Sequence, residues 1–312
     1  MSPLGIANAV TVRAPAKINL HLGVGAPRED GYHPLTTVYQ AVGLCDDLTA
    51  SHSTQWNLTV SVPPWMDERE VPLGGANIVD RAAHLLAAHH GLEVTGDVDI
   101  AKAIPVAGGL AGGSADAAAA LVALDRLWGA HTPDQDLLAL AAELGSDVPF
   151  ALVGGTALGT GRGEVVTPVA DHGTWWWVLV PSHEGLSTPA VYRHFDELFP
   201  DAPADPPSAD ALLGALASGD PHQLAGVLHN DLQLPAIDLR PDLGRLLDRG
   251  QVEGALRGIV SGSGPTCVLL CESADHARDL AGALGHLADD GEHPAVLVAN
   301  GPVAGAHRVE YA

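Results

Sequence analysis

Pro105-Val-Ala-Gly-Gly-Leu-Ala-Gly-Gly-Ser114 joins Val94–Ala101, which alternates like a strand, to Ser114–Trp128, an alanine-rich stretch that reads as a helix closed by Gly129. Glycines let the backbone come close to a ligand and adopt dihedrals closed to other residues. The free N–H groups at the start of the following helix, with its positive dipole end, form an anion site. A phosphate chain is the natural guest, although a glycine cluster alone also suits a plain flexible connection. Two familiar phosphate loops fail on spacing. No lysine follows the glycines as GxxxxGK[ST] requires, and Gly109-Leu-Ala-Gly112 does not fit GxGxxG. Any grip on phosphate here is therefore made by backbone alone.

Working outward, Val10–Val24 alternates, with Val10, Val12, Ala14, Ala16, Ile18, Leu20 and Leu22 on one face and Lys17, Asn19 and His21 on the other. The pattern predicts a strand with one buried side. Lys17 stands out because the chain has only two lysines, Lys17 and Lys102, against thirteen arginines. Where arginine serves the solvated positions, a retained lysine suggests a role for a compact, mobile point charge. Downstream, Thr132-Pro133 predicts the cap and first residue of a helix that stops at Gly145. Gly145-Ser-Asp147-Val-Pro-Phe150 then places a carboxylate just beyond that stop. Asp147 reads either as an N-cap or as a general base toward a bound hydroxyl.

The rest of the chain mixes short strands and helices with no internal repeat, so the expected class is α+β, divided near residue 160 into segments 1–160 and 161–312. The 312 residues carry a formal charge of −23. That balance argues against binding nucleic acid, whose non-specific affinity rests on clustered Lys and Arg, and against docking on anionic lipid. It does not exclude an anionic small molecule held by backbone amides and one or two local cations. Three cysteines (Cys45, Cys267 and Cys271) without a CxxC pair, no signal-like N-terminus and no membrane-length apolar run all point to a cytoplasmic protein. The histidines show no metal-ligand spacing, and Trp175-Trp176-Trp177 reads as a buried strand with one ring partly exposed.

Taken in order, the lysine strand, the glycine loop and the aspartate turn resemble the GHMP kinase superfamily of galactokinase, homoserine kinase and mevalonate kinase. Ser261-Gly-Ser-Gly-Pro-Thr266 resembles its C-terminal glycine motif. Ala14-Pro-Ala-Lys-Ile-Asn-Leu20, Arg28-Glu-Asp-Gly-Tyr-His33, Gly145-Ser-Asp-Val-Pro149 and Asn230-Asp-Leu232 are similar to the branch that phosphorylates 4-diphosphocytidyl-2-C-methyl-D-erythritol in the non-mevalonate route to isoprenoid precursors. The resemblance implies a ribosomal-protein-S5-like N-terminal domain, a ferredoxin-like C-terminal domain and an active site between them. It implies ATP as phosphoryl donor with Mg²⁺, and transfer to the acceptor's 2-hydroxyl. By position, Asp147 would be the base and Lys17 would stabilise the transferring group. Asn19, Tyr32, His33 and Tyr192 would hold the acceptor, with Tyr32, His33 and Tyr192 around its cytosine ring. Pro105, Val106, Ala107, Gly108, Gly109, Leu110, Ala111, Gly112, Gly113, Ser114 and Ala115 would hold the ATP phosphates, with Ser114 near Mg²⁺. Ala111 stands where many relatives have glycine, and a single serine stands where some have a pair.

Overall fold

The computed structural model describes residues 9–71, 77–106, 108–289, 291 and 293–310. Its backbone is the long hairpin of β1 (Ala9–Val24) and β2 (Leu35–Ser51), extended by β3 (Trp56–Ser61) and β4 (Gly96–Ala101) in the order β1-β2-β4-β3. β5 (Thr156–Thr160) adds to β2, and β6 (Val165–Pro168) adds to β5. A second sheet is built on β7 (Trp175–Val180). β8 (His229–Asn230) pairs in parallel with β1, while β9 (Arg257–Val260), β10 (Cys267–Cys271) and β11 (Leu297–Gly301) complete the order β11-β7-β10-β9. The final strand β12 (His307–Val309) returns to the free side of β1.

Two register shifts in the β1–β2 ladder bracket the lysine: one between Pro15 and Ala16, the other between Asn19 and His21. Bulges re-aim side chains and bend the strand locally. Here they set Lys17 and Asn19 apart from an otherwise regular ladder. The expectation of one buried side for β1 is corrected by the structure. Lys17, Asn19 and His21 are 7, 3 and 4% exposed, so both faces are covered. The polar face is roofed by the second half of the chain, which alternation within one strand cannot report.

Helices α2 (Gly112–Trp128) and α4 (Val148–Val153) pack on the first sheet, and α1 (Ile78–His90) and α3 (Asp134–Leu144) pack against them. Asn77 caps α1 by accepting from Val79 N–H, and Gly91 ends it in a left-handed conformation. α2 is buried on nearly every side, with Ala115 and Ala117–Ala120 all at 0% exposure. A helix apolar all round belongs inside, and its alanines let it lie close to β1 and β2. Thr132 does not cap α3. Pro133 takes the cap position, and the Thr132 hydroxyl donates to Asp125 on α2 instead.

The second sheet carries α5 (Thr188–Leu198), α6 (Asp210–Ser218), α7 (Pro221–Val227), α8 (Gln233–Leu239), α9 (Pro241–Val252) and α10 (Ala274–Leu284) in its half of the chain. The sheets are bolted together by indoles. Trp177 Nε1 donates to Gln40 Oε1 at 2.9 Å, Gln40 Nε2 donates to Asp171 at 3.0 Å, and Trp175 Nε1 donates to Asp171 at 2.8 Å. Trp175 and Trp177 are buried and Trp176 is partly exposed, as the run of three predicts. A satisfied buried polar network of this kind rigidifies the join. It fixes the cleft between the halves.

Candidate active site

The cleft has a volume of about 640 Å³ and is lined from both halves, by β1, the glycine loop, α4, α5 and the turn after β9. At its floor Lys17 Nζ donates to Asn19 Oδ1 at 2.7 Å and lies 3.7 Å from Asp147 Oδ2. Asn19 Nδ2 donates in turn to Thr37 Oγ1 at 2.8 Å, and Thr37 donates to the His21 carbonyl at 2.8 Å. Each polar group behind the lysine therefore has a partner, and the ammonium has one well-defined place to be. Asp147 sits at the N-cap position of α4 but makes no side-chain cap bond. Its carboxylate is thus left for the cleft. Tyr39 on β2 packs beside it, with Lys17 Nζ 5.7 Å from its ring centre. Burial first, and then the Asp147 charge, push the Tyr39 phenol well above its ordinary range, so it remains a neutral donor.

The glycine loop closes over this floor and is locked from two sides. Lys17 N–H donates to Leu110 C=O at 3.0 Å, tying the loop to β1. Ser261 Oγ donates to Gly109 C=O at 3.2 Å, and Thr266 N–H donates to Gly108 C=O at 3.2 Å. Gly109 has φ +76, and a Cβ there would stand 2.5 Å from Ser261 O and 2.9 Å from Gly264 O, so only glycine permits the contact. Ala111 holds φ 58 and ψ 35 immediately before α2. A left-handed alanine is strained, and this explains physically why glycine suits that position. The first turn of α2 follows, and Ser114 in it lines the cleft. Ala107 lies outside the described residues.

The other wall is aromatic. His33 Nε2 pairs with Asp196 Oδ1 at 2.8 Å, and the His33 ring lies 4.9 Å from that of Tyr192 at a 34° tilt. Both Tyr192 and Asp196 are carried by α5. Burial, with a smaller contribution from Asp147, raises the Tyr192 phenol, which stays neutral. Tyr32 differs from its neighbour: it is 53% exposed at the rim, with the Arg162 guanidinium 4.9 Å from its ring centre. Lys17, Asn19, Tyr192, Asp147 and the glycine loop thus line one cleft, His33 backs the Tyr192 ring from behind, and Tyr32 lies outside the lining beside Arg162.

Several groups to which the sequence alone assigned no role also shape the site. Thr188 Oγ1 and Ser263 Oγ lie 2.7 Å apart, bridging α5 to the glycine turn. Asn230 Nδ2 donates to Val260 O at 2.8 Å and to Gly262 O at 2.7 Å, shaping that turn, so the Asn230-Asp-Leu232 motif acts through backbone geometry. Gly262 comes so close to the floor that a Cβ would meet Asn19 Oδ1 at 3.2 Å and Lys17 Nζ at 3.4 Å. Asp196 and Lys102 complete the set. The scarcity of lysine was a usable signal for Lys102; nothing in the local sequence marks Asp196.

Comparison with known proteins now bears on this geometry. The model for the GHMP kinases N terminal domain matches residues 77–155, and that for the GHMP kinases C terminal domain matches residues 212–289. The chain belongs to the GHMP kinase family. This GHMP kinase is 73% identical over 301 residues to a 4-diphosphocytidyl-2-C-methyl-D-erythritol kinase of Nocardioides sp., covering 96% of this chain and 100% of that one. A protein of the same name from Thermobifida fusca is 52% identical, with 96 and 97% covered. Among solved structures, that of a 4-(cytidine 5'-diphospho)-2C-methyl-D-erythritol kinase superposes with a TM-score of 0.73 at 34% identity, over 93% of this chain and 98% of that one. The two-domain α+β GHMP kinase fold and the kinase activity that goes with it are therefore those of this chain. No helix among the described residues is long and apolar enough to cross a membrane.

Proposed function

We propose that this GHMP kinase moves the γ-phosphoryl group of ATP to the 2-hydroxyl of 4-diphosphocytidyl-2-C-methyl-D-erythritol, a step toward isoprenoid precursors. The observation that carries the reading is spatial. A lysine–carboxylate pair 3.7 Å apart lies at the floor of one cleft, with an amide-rich loop on one side and Tyr192, backed by the His33 ring, on the other. Phosphoryl transfer asks a protein mainly for alignment and charge stabilisation, and each part of the cleft supplies one of these.

The backbone N–H groups of Gly108–Gly113 and of the first turn of α2 would hold the phosphates. Asp147 would accept a hydrogen bond from the attacking hydroxyl, orient it and take its proton. Lys17 would neutralise charge on the transferring group, kept in place by Asn19 and through it by Thr37. Tyr192 and His33, whose rings already touch at 4.9 Å, would flank the cytosine together, with Asp196 fixing the imidazole, and Tyr32 would cover it from the rim. Aromatic stacking binds a base without demanding net positive charge.

Mg²⁺ fits the donor set in one respect. Ser114 lines the cleft beside the loop and carries a hydroxyl, so Ser114 is the side chain that would hold the ion. Among the described residues no three His, Cys, Asp or Glu groups converge to hold a metal by themselves, so the nucleotide would contribute the remaining oxygens. Bound there, the ion supplies charge neutralisation on the phosphates. A net charge of −23 fits a cytoplasmic enzyme that acts on small molecules.

The test is direct. The purified chain, given ATP, Mg²⁺ and 4-diphosphocytidyl-2-C-methyl-D-erythritol, should add one phosphate's mass to the acceptor. Transfer to mevalonate or homoserine instead, with none to this acceptor, would overturn the substrate while leaving the kinase.

A further inference from the structure

Lys102, the second of the two lysines, lies at the end of β4 where the chain leaves the sheet for the glycine loop. It is buried, and its ammonium donates to Asp46 Oδ2 and to Asp116 Oδ2, each at 2.6 Å. Asp46 belongs to β2, and its other oxygen accepts from Ala103 N–H at 2.6 Å and Ile104 N–H at 2.8 Å. Asp116 belongs to the first turns of α2. The triad therefore spans the loop: Asp46 grips the entry strand, Asp116 sits on the exit helix, and Lys102 joins them. Ile104 reinforces the join, since a Cβ on Gly112 would stand 3.0 Å from its Cγ2. Lys102 and Asp116 both line the same cleft as Gly108–Gly113.

The charge balance of this cluster is uneven. One ammonium faces two carboxylates, all three side chains being at most 7% exposed. Asp46 is fully hydrogen-bonded, whereas Asp116 Oδ1 is one of only two buried side-chain polar atoms without a partner among the described residues. A buried, unbalanced negative charge is costly enough that such a group takes up a proton. The nucleotide's phosphates next to it would raise that cost further. We propose that Lys102, Asp46 and Asp116 are positioning residues that clamp the two ends of the phosphate loop, and that Asp116 serves as a neutral carboxyl so that the clamp adds no net negative charge beside the nucleotide. The electrostatics agree. Burial, and then the Asp46 charge, hold the Asp116 carboxyl well above the usual carboxylate range, outweighing the opposing pull of Lys102. Asp46 on β2 and Lys102 after β4 are the charged groups acting on it.

The proposal rests on the cleft being an ATP site, and its test reads nucleotide binding without the acceptor. Calorimetry on the full chain with a non-hydrolysable ATP analogue and Mg²⁺ should show Lys102→Met weakening binding by roughly tenfold or more, the scale expected when a positioned group is displaced. Lys102→Arg should recover most of that loss. Asp116→Ala should weaken binding to a similar degree, and Asp116→Asn, which keeps the shape of a neutral carboxyl, distinctly less. A protonated-carboxyl C=O stretch should appear in the infrared difference spectrum between wild type and Asp116→Asn at neutral pH. Binding by Lys102→Met within about twofold of wild type overturns the clamp. Equal losses in the two Asp116 variants, or no such infrared band, overturn the neutral carboxyl. If Lys102→Met does not fold, the two Asp116 variants decide the question by themselves. Wild-type binding of the analogue without transfer to the cytidine acceptor would sink the proposed substrate and leave the clamp standing.

Discussion

Replacing Asp147 by Asn keeps the shape of the side chain while removing its charge and its capacity to take a proton. The loss can be apportioned from the structure. Asp147 makes no cap bond, and its pairing with Lys17 is a 3.7 Å contact with 30% of the carboxylate side chain exposed. The pair is not a surface one, because the Lys17 side chain is only 9% exposed, but at 3.7 Å it is long and the lysine keeps Asn19 as a partner, so the loss of fold stability should be modest beside the loss of chemistry. The chemistry should respond far more. Loss of a general base lowers kcat by ~10²–10⁴, or about 2.7–5.4 kcal/mol of barrier. Substrate affinity has its own supports: the loop is tied to β1 through Lys17 N–H and Leu110 C=O, and the aromatic wall through His33 and Asp196. Tyr39 and Tyr192 lose a nearby negative charge in the variant but stay neutral, since both phenols already lie above their ordinary range. Single-turnover rates with both substrates saturating, steady-state KM values and a thermal melt would separate these effects. The expected outcome is a collapse of the single-turnover rate with KM and Tm close to wild type. A rate within about tenfold of wild type, or a loss confined to KM, would refute the base assignment.

Tyr192→Ala should raise the KM for the cytidine acceptor by about 10–100-fold, equivalent to the ~1–3 kcal/mol of one base–aromatic stack, while Tyr192→Phe should change it little; equal effects from both would point to the hydroxyl and not the ring. Gly109→Ala puts a methyl group 2.5 Å from Ser261 O at φ +76, so a melt should show a destabilisation of at least ~1–2 kcal/mol, and an unchanged Tm would contradict the close docking of the loop on the second glycine turn. Ala111→Gly relieves a left-handed alanine at φ 58 at the expense of a freer unfolded chain; with ~1–2 kcal/mol gained against ~0.5–1 lost, a small net stabilisation is expected, and a fall of more than ~1 kcal/mol in chemical denaturation would show that no strain is stored there.

Much of the first sheet was legible because its strands obey a single rule. β1 alternates and Gly129 closes α2; each signal is local and is confirmed within a residue or two. The placement of the glycine loop between a strand and a helix was legible too, since the alanine-rich run that follows it is α2. What escaped depends on residues far apart in the chain. His33 meets Asp196 across 163 positions, and Asn230 reaches the Gly262 carbonyl across 32. α5, which carries both Tyr192 and Asp196, was missed although Ser187 at its cap position and Pro189 in its first turn mark its start; the polar, exposed run around them hid it. Thr132 failed as a cap because a buried carboxylate, Asp125, offered its hydroxyl and N–H better partners. The covered polar face of β1 follows the same logic: alternation reports which side chains are polar, and only the second half of the chain decides whether water reaches them.

The charge of −23 sharpens what kind of anion site this is. Both lysines of the chain line one cleft, yet neither offers a bare positive charge. Lys17 is met by Asp147 and Asn19, and Lys102 by Asp46 and Asp116. Attraction for phosphate must then come from oriented N–H groups in the loop and at the start of α2, whose field falls off within a turn, and from a cation that arrives with the nucleotide. Charges on the rest of the surface are screened beyond about 8 Å at physiological salt, so an acidic exterior costs such a site little. The pairing also suits the chemistry. A lysine held beside a carboxylate is partly neutralised while the cleft is empty. In the proposed reaction, a hydroxyl proton passing to Asp147 would remove that carboxylate's charge, and the Lys17 ammonium would be left to face the transferring phosphoryl group alone, at the moment its charge is wanted. Proton transfer at one residue would thereby strengthen the electrostatics of the other, and this coupling gives a reason for placing the two within 4 Å rather than at opposite ends of the site.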